Sequence, residues 1–92
     1  MHGSIIDNER RCFLCGSVRW LERHHIFGAS NRKKSEQYGL WVYLCHFCHN
    51  EPPNGVHHNK THMLLLKKIG QDAFQKTYPE KNFLKEFGRN YL

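Results

Sequence analysis

From Lys60 to about Tyr78 the apolar positions Met63, Leu66, Ile69, Ala73 and Phe74 recur three or four apart among polar residues, a spacing that predicts one amphipathic helix. Asn59 is placed to cap its start, Asp72 and Lys76 to pair at i,i+4, and Pro79 to end it. Residues 80–87 allow one further short helix, stopped by Gly88, with Phe83, Leu84 and Phe87 packing back on the domain. Upstream the period changes. Leu40-Trp41-Val42-Tyr43-Leu44 is an unbroken aromatic and branched run and predicts a strand. Residues 18–27 mix hydrophobic and polar positions and predict a second strand that ends on His24 and His25. Between the two strands, residues 28–39 read as a glycine-bracketed loop. Residues 1–11 read as a loose polar lead-in, and Pro52-Pro53-Asn54-Gly55 must interrupt any helix begun before it.

Four cysteines punctuate this pattern as two Cys-x-x-Cys pairs, Cys12/Cys15 and Cys45/Cys48, with none left over. Each pair is a turn that points two thiolates at one centre, and two such turns complete the S4 shell that Zn²⁺ prefers. Gly16 is free to take the positive φ that such a turn needs. The alternative, two disulfides in a secreted miniprotein, requires an oxidising compartment. Met-His-Gly-Ser-Ile-Ile-Asp-Asn has no basic region followed by an apolar run, so the expected compartment is the cytoplasm. The 29 residues between Cys15 and Cys45 exceed the short loop of a DNA-reading finger and suit a β-hairpin. The second knuckle must then open a helix, and His24, His25 and His49 would meet where the first strand ends and that helix begins.

Ninety-two residues allow one domain with a core too small to be comfortably stable alone, so a zinc staple is expected on stability grounds as well. With 14 Lys+Arg against 8 Asp+Glu the net charge is +6, which favours a polyanionic partner. Without a long apolar or basic amphipathic segment, nucleic acid is favoured over a membrane.

The stretch Glu22-Arg23-His24-His25-Ile26-Phe27, the strand at 40–44, Cys45-His46-Phe47-Cys48-His49-Asn50 and Gly55-Val56-His57 together resemble the HNH endonucleases, most closely the small zinc-stapled kind found in phages and prophages. The resemblance covers about residues 12–58. It implies an α+β fold, a small zinc-stapled ββα-metal, treble-clef-like domain, with residues 59–92 as a C-terminal helical extension. It also implies a metal-dependent endonuclease that hydrolyses DNA phosphodiesters and leaves 5′-phosphate ends. His24 matches a ligand of the catalytic metal, His25 the general base and His49 the helix histidine facing that metal. His57 is the next histidine able to complete the shell, because Pro52-Pro53 occupies the turn where relatives without knuckles place theirs. The cofactors implied are a structural Zn²⁺ and a catalytic Mg²⁺, Mn²⁺, Ni²⁺ or Zn²⁺; phage packaging or recombination proteins are partners by resemblance only. One departure is plain. The family's middle asparagine, which braces the loop and orients the base, is absent where Tyr38-Gly39-Leu40 stands, and Asn31, Ser35 or Glu36 is left to substitute.

The chemistry is coherent without the name. Phosphodiester hydrolysis needs charge neutralisation at the non-bridging oxygens, a stabilised leaving oxygen and an activated water. An imidazole, with an ordinary pKa of about 6.5, activates water near neutral pH. Neighbours on a strand point opposite ways, so His24 and His25 suit different tasks at a strand end. Glu22 or a backbone carbonyl is placed to fix the tautomer of the imidazole that activates water. Arg23, Arg32, Lys33 and Lys34, with Arg19, are candidate phosphate contacts, although the Arg32-Lys33-Lys34 run reads equally as a solvated loop. His46, His58 and His62 are expected to face solvent, with His58 able to stand in for His57, and Trp20, Trp41, Tyr43 and Phe47 to be core. A non-catalytic zinc-knuckle module binding nucleic acid is the alternative. A protein-binding domain of the ubiquitin-ligase type would need two interleaved zinc sites, which the spacing does not give.

Overall fold

The computed structural model describes residues 3–92. It is a small α+β domain built on one two-stranded antiparallel sheet. β1 (Leu21–His25) pairs with β2 (Trp41–Cys45), setting Leu21 opposite Cys45 and His25 opposite Trp41. The Ile26 N–H carries the ladder one step further by donating to the Leu40 carbonyl at 3.0 Å. β1 is shorter than the pattern predicts. Trp20 has φ 52, a left-handed conformation rare for a bulky residue, and this bend cuts Val18, Arg19 and Trp20 off from the strand. The bent carbonyl accepts the His46 N–H at 3.0 Å and so ties the entrance of β1 to the helix that follows β2.

The expected loop at 28–39 is instead a 3₁₀ turn, Ala29–Asn31, followed by α1 (Arg32–Gln37). Arg-Lys-Lys-Ser-Glu-Gln consists largely of good helix formers, and the flanking glycines only bound it. Ser35 is fully buried, and its Oγ accepts the Phe27 N–H at 2.9 Å, which pins α1 beneath the end of β1.

α2 (His46–Asn50) begins immediately after β2, as the knuckle requires. The chain then turns back through Gly55 into a 3₁₀ turn, Val56–His58. Gly55 is buried, and a Cβ there would lie 2.6 Å from the Glu51 nitrogen and 2.7 Å from its carbonyl oxygen, so any side chain would force this turn away from α2. α3 (Lys60–Thr77) starts where Asn59 Oδ1 accepts the His62 N–H, and Lys76 pairs with Asp72 at 2.9 Å. α4 (Phe83–Phe87) ends at Gly88.

Ile26, Phe27, Leu40, Val42, Leu44, Val56, Leu66, Phe74, Phe83 and Phe87 form the core. Leu84 does not join it. Phe83 and Phe87 lie one turn apart on the inner face of α4, which turns Leu84 outward to 54% exposure. Trp20 and Phe47, expected in the core, are 67% and 57% exposed, the first because of the backbone bend and the second because it lies on the outer face of α2. Trp41 is buried and Tyr43 half-buried.

The lead-in is docked rather than loose. Ser4 is buried with its Oγ donating to the Trp41 carbonyl at 2.6 Å, and the Ile5 N–H donates to the Gly39 carbonyl at 2.9 Å, so this segment satisfies the carbonyls at the start of β2. Met1 and His2 of that lead-in lie outside the described residues. No helix among the described residues is long and apolar enough to cross a membrane.

Candidate metal centres and the histidine cleft

The first knuckle closes through two backbone bonds, Cys12 N–H to the Ser17 carbonyl at 2.7 Å and Gly16 N–H to the Cys12 carbonyl at 2.9 Å, with Gly16 at φ 81. The Phe13 N–H donates to the Tyr43 carbonyl at 2.8 Å and fixes the turn against β2, which delivers Cys45. The four sulfurs lie within 4.8 Å of one another, Cys15 and Cys45 at 3.7 Å, and all four cysteines are free of disulfides. Sulfurs bound at about 2.3 Å to a tetrahedral zinc stand about 3.8 Å apart, so the set fits a structural metal site such as zinc. Its thiols are already differentiated. Burial pushes Cys12 up, but backbone N–H groups of Cys45, Cys15 and Leu14 more than offset it and bring the thiol down to about 7. Cys48 goes the other way, raised by burial and by the three neighbouring sulfurs.

A second cluster forms where β1 ends. His24 from β1, His49 from α2 and His57 from the turn after Gly55 bring one ring nitrogen each within 4.8 Å of the others. His49 Nε2 and His57 Nε2 are 3.0 Å apart. That is the spacing of two ligands about 2.1 Å from a shared ion that subtend roughly a right angle. His24 Nε2 is buried and has no hydrogen-bond partner among the described residues, an arrangement that costs free energy unless a cation satisfies the lone pair. Burial, reinforced by the facing His49 and His57 and by His25 and Lys67, holds His24 down to about 3, so it stays neutral and able to ligate across the ordinary pH range. His57 is lowered for the same two reasons, burial first and His49 next, with His58 adding to them.

His24 is packed in place, and His49 and His25 each have a carboxylate behind them. Glu22, two residues before His24 on the same face of β1, accepts from His49 Nδ1–H at 2.7 Å, which leaves Nε2 as the ligating atom. Asn50 Nδ2 donates to the same Glu22 oxygen at 3.0 Å, and the other carboxylate oxygen lies 3.2 Å from His46 Nδ1. The two imidazoles depress Glu22, His49 most strongly. His25 points to the other side of β1. Its Nε2–H donates to Glu36 Oε1 at 2.9 Å, while Nδ1 accepts a long 3.5 Å contact from Arg32 Nε. The proton is thereby assigned to Nε2, and Nδ1 carries the free lone pair. Because the strand ends at His25, both histidines still border one cleft of about 240 Å³, together with Arg23, Gly28, Arg32, His49 and His57.

The candidate phosphate contacts divide. Arg23 is paired with Glu36 at 2.8 Å and stacked 3.7 Å over the Trp41 ring, and Lys34 donates to the Glu86 carbonyl. Arg32 and Lys33 are exposed beside His25. Arg19 is exposed as well. His58 faces solvent as expected, but His46 does not stand free: it bridges Glu22 and Glu51, whose carboxylates raise it. His62 is half-buried and contacts the Asn54 carbonyl.

Of the three residues that the resemblance leaves to replace its asparagine, Ser35 accepts the Phe27 N–H and Glu36 bonds to the His25 imidazole. Glu36 is legible in the sequence only as one of three options, because residues 28–39 carry no apolar period that marks the helix aiming it. Glu22, expected behind the water-activating imidazole, instead holds His49 and His46, because it shares the His24 face of β1 while His25 points to the other side. Comparison with protein-family models, with curated proteins and with solved structures returns no match.

Proposed function

We propose that this chain is a metal-dependent HNH-type endonuclease that hydrolyses phosphodiester bonds in DNA, on a zinc-stapled ββα-metal, treble-clef-like scaffold, in the cytoplasm. The observation that carries the reading is the sharing of one cleft by a convergent three-imidazole cluster and a fourth imidazole that carboxylate bonding keeps out of it. Binding to nucleic acid alone needs positive charge and has no use for this division.

His24, His49 and His57 would hold the divalent ion, with Glu22 orienting His49. When bound, that ion neutralises the non-bridging phosphate oxygens and stabilises the departing 3′-oxygen. His25 Nδ1 takes a proton from the attacking water as its oxygen bonds to phosphorus and the bond to the 3′-oxygen breaks, leaving a 5′-phosphate. Glu36 keeps the ring in the tautomer this step requires, and the Arg23 ion pair holds Glu36 in place. Arg32, which rests on Nδ1, is free to swing to a backbone phosphate when substrate arrives.

Supercoiled-plasmid nicking with Mg²⁺, Mn²⁺, Ni²⁺ or Zn²⁺, against a chelator control, tests the proposal. Metal-dependent nicking supports it. A folded, zinc-loaded protein that binds DNA and cuts it with none of these ions is the non-catalytic zinc-knuckle module instead.

A further inference from the structure

Trp20 and Phe47 are the large aromatics that the core leaves out, and they stand together. Their ring centroids are 5.9 Å apart at 65°, an open V of about 460 Å³ lined also by Leu21, Glu22 and His46. Trp20 is held there by a left-handed backbone, φ 52, which costs free energy that its 67%-exposed ring does not recover by burial. Strain of this kind persists where a side chain is needed in a particular place. The V adjoins the histidine cluster, since one Glu22 oxygen contacts His49 and the other contacts His46 on the cleft wall.

We infer that this aromatic V receives an unpaired nucleobase of the substrate strand next to the bond that is cut, which makes single-stranded or locally unpaired DNA the preferred substrate. The inference rests on the nuclease reading and adds the substrate class to it. Two rings at this angle offer one face to stack on and one edge to close the slot, and stacking is indifferent to base identity. The polar groups at the wall, Glu22 and His46, already satisfy each other and their neighbours, so the occupant is held by stacking on the rings, which suits a base of any identity. The net charge of +6 draws in the phosphate chain that carries the base.

The full zinc-loaded chain, with no second ion added, is titrated against a fluorescent oligothymidine strand and against a hairpin-capped duplex. Trp20→Ala and Phe47→Ala should each weaken single-strand binding about 5- to 150-fold, the worth of one stacked base, while duplex binding stays within about twofold. Trp20→Phe should recover most of the loss. The single strand, and not the duplex, should also quench the indole emission of the unsubstituted chain, since the only other tryptophan, Trp41, is buried. Equal losses on both DNAs, no loss on either, or no single-strand binding by the unsubstituted chain overturns the inference. None of these readouts needs cleavage, so a chain that stacks bases without cutting fails the nuclease reading alone.

Discussion

The two clusters of candidate metal ligands are built on opposite plans. The four-sulfur site draws on two tight turns, is closed on every side by its own ligands, and brings thiols together that cannot all ionise without a cation among them. The three-imidazole site draws one imidazole from each of three separate elements, leaves His24 Nε2 without a hydrogen-bond partner among the described residues, opens on a cleft, and is supported from outside by the Glu22 carboxylate on His49. A closed shell holds a fold together, whereas an open one leaves room for water and phosphate. Loss of a sulfur should therefore undo the protein, and loss of an imidazole or its support should leave it standing with an impaired site.

The largest effect expected is at the sulfurs. Cys45→Ser should abolish stoichiometric zinc and the cooperative thermal transition together, since metal binding and folding are coupled in so small a core. Elemental analysis beside calorimetry checks it, and a folded, zinc-free variant would erase the contrast. Next comes His25→Ala, which should keep zinc, fold and most DNA affinity while cleavage falls by about 10²- to 10⁴-fold. Rates on supercoiled plasmid measure that loss. Glu22→Gln removes the negative charge behind His49 without removing a ligand; affinity for the second ion should drop about 10- to 100-fold in a Mn²⁺ or Ni²⁺ titration, with the knuckle zinc untouched. Smallest is Gly55→Ala. The new methyl meets backbone at 2.6 Å and must push the His57 turn away, costing about 1 to 3 kcal/mol in thermal unfolding and loosening the second ion more than the first.

What was legible in the sequence follows the same division. Cys12, Cys15, Cys45 and Cys48 announce themselves by local spacing, and the strand at Trp41–Cys45 and the helix at Lys60–Thr77 by strong periodicity and an evident cap. His24 and His49 are legible as neighbours from the hairpin and the helix that must follow it, whereas His57, which joins them in space, is legible only through the resemblance, because the turn that carries it has no periodic signal. Hidden from the pattern were α1, whose charged helix formers carry no apolar period, and with it the role of Glu36. Trp20 and Phe47 were misplaced for a related reason: hydrophobicity predicts burial on average, and neither a left-handed bend nor the outer face of a five-residue helix is written in it.

The most direct test measures second-ion affinity and plasmid cleavage side by side for His24→Ala and His25→Ala, each still carrying its knuckle zinc. The account predicts that His24→Ala loses both the ion and the cleavage, and that His25→Ala binds the ion as the unsubstituted chain does yet scarcely cuts. A His25→Ala protein that cleaves at the unsubstituted rate, or a His24→Ala protein that binds the second ion undiminished, would contradict it.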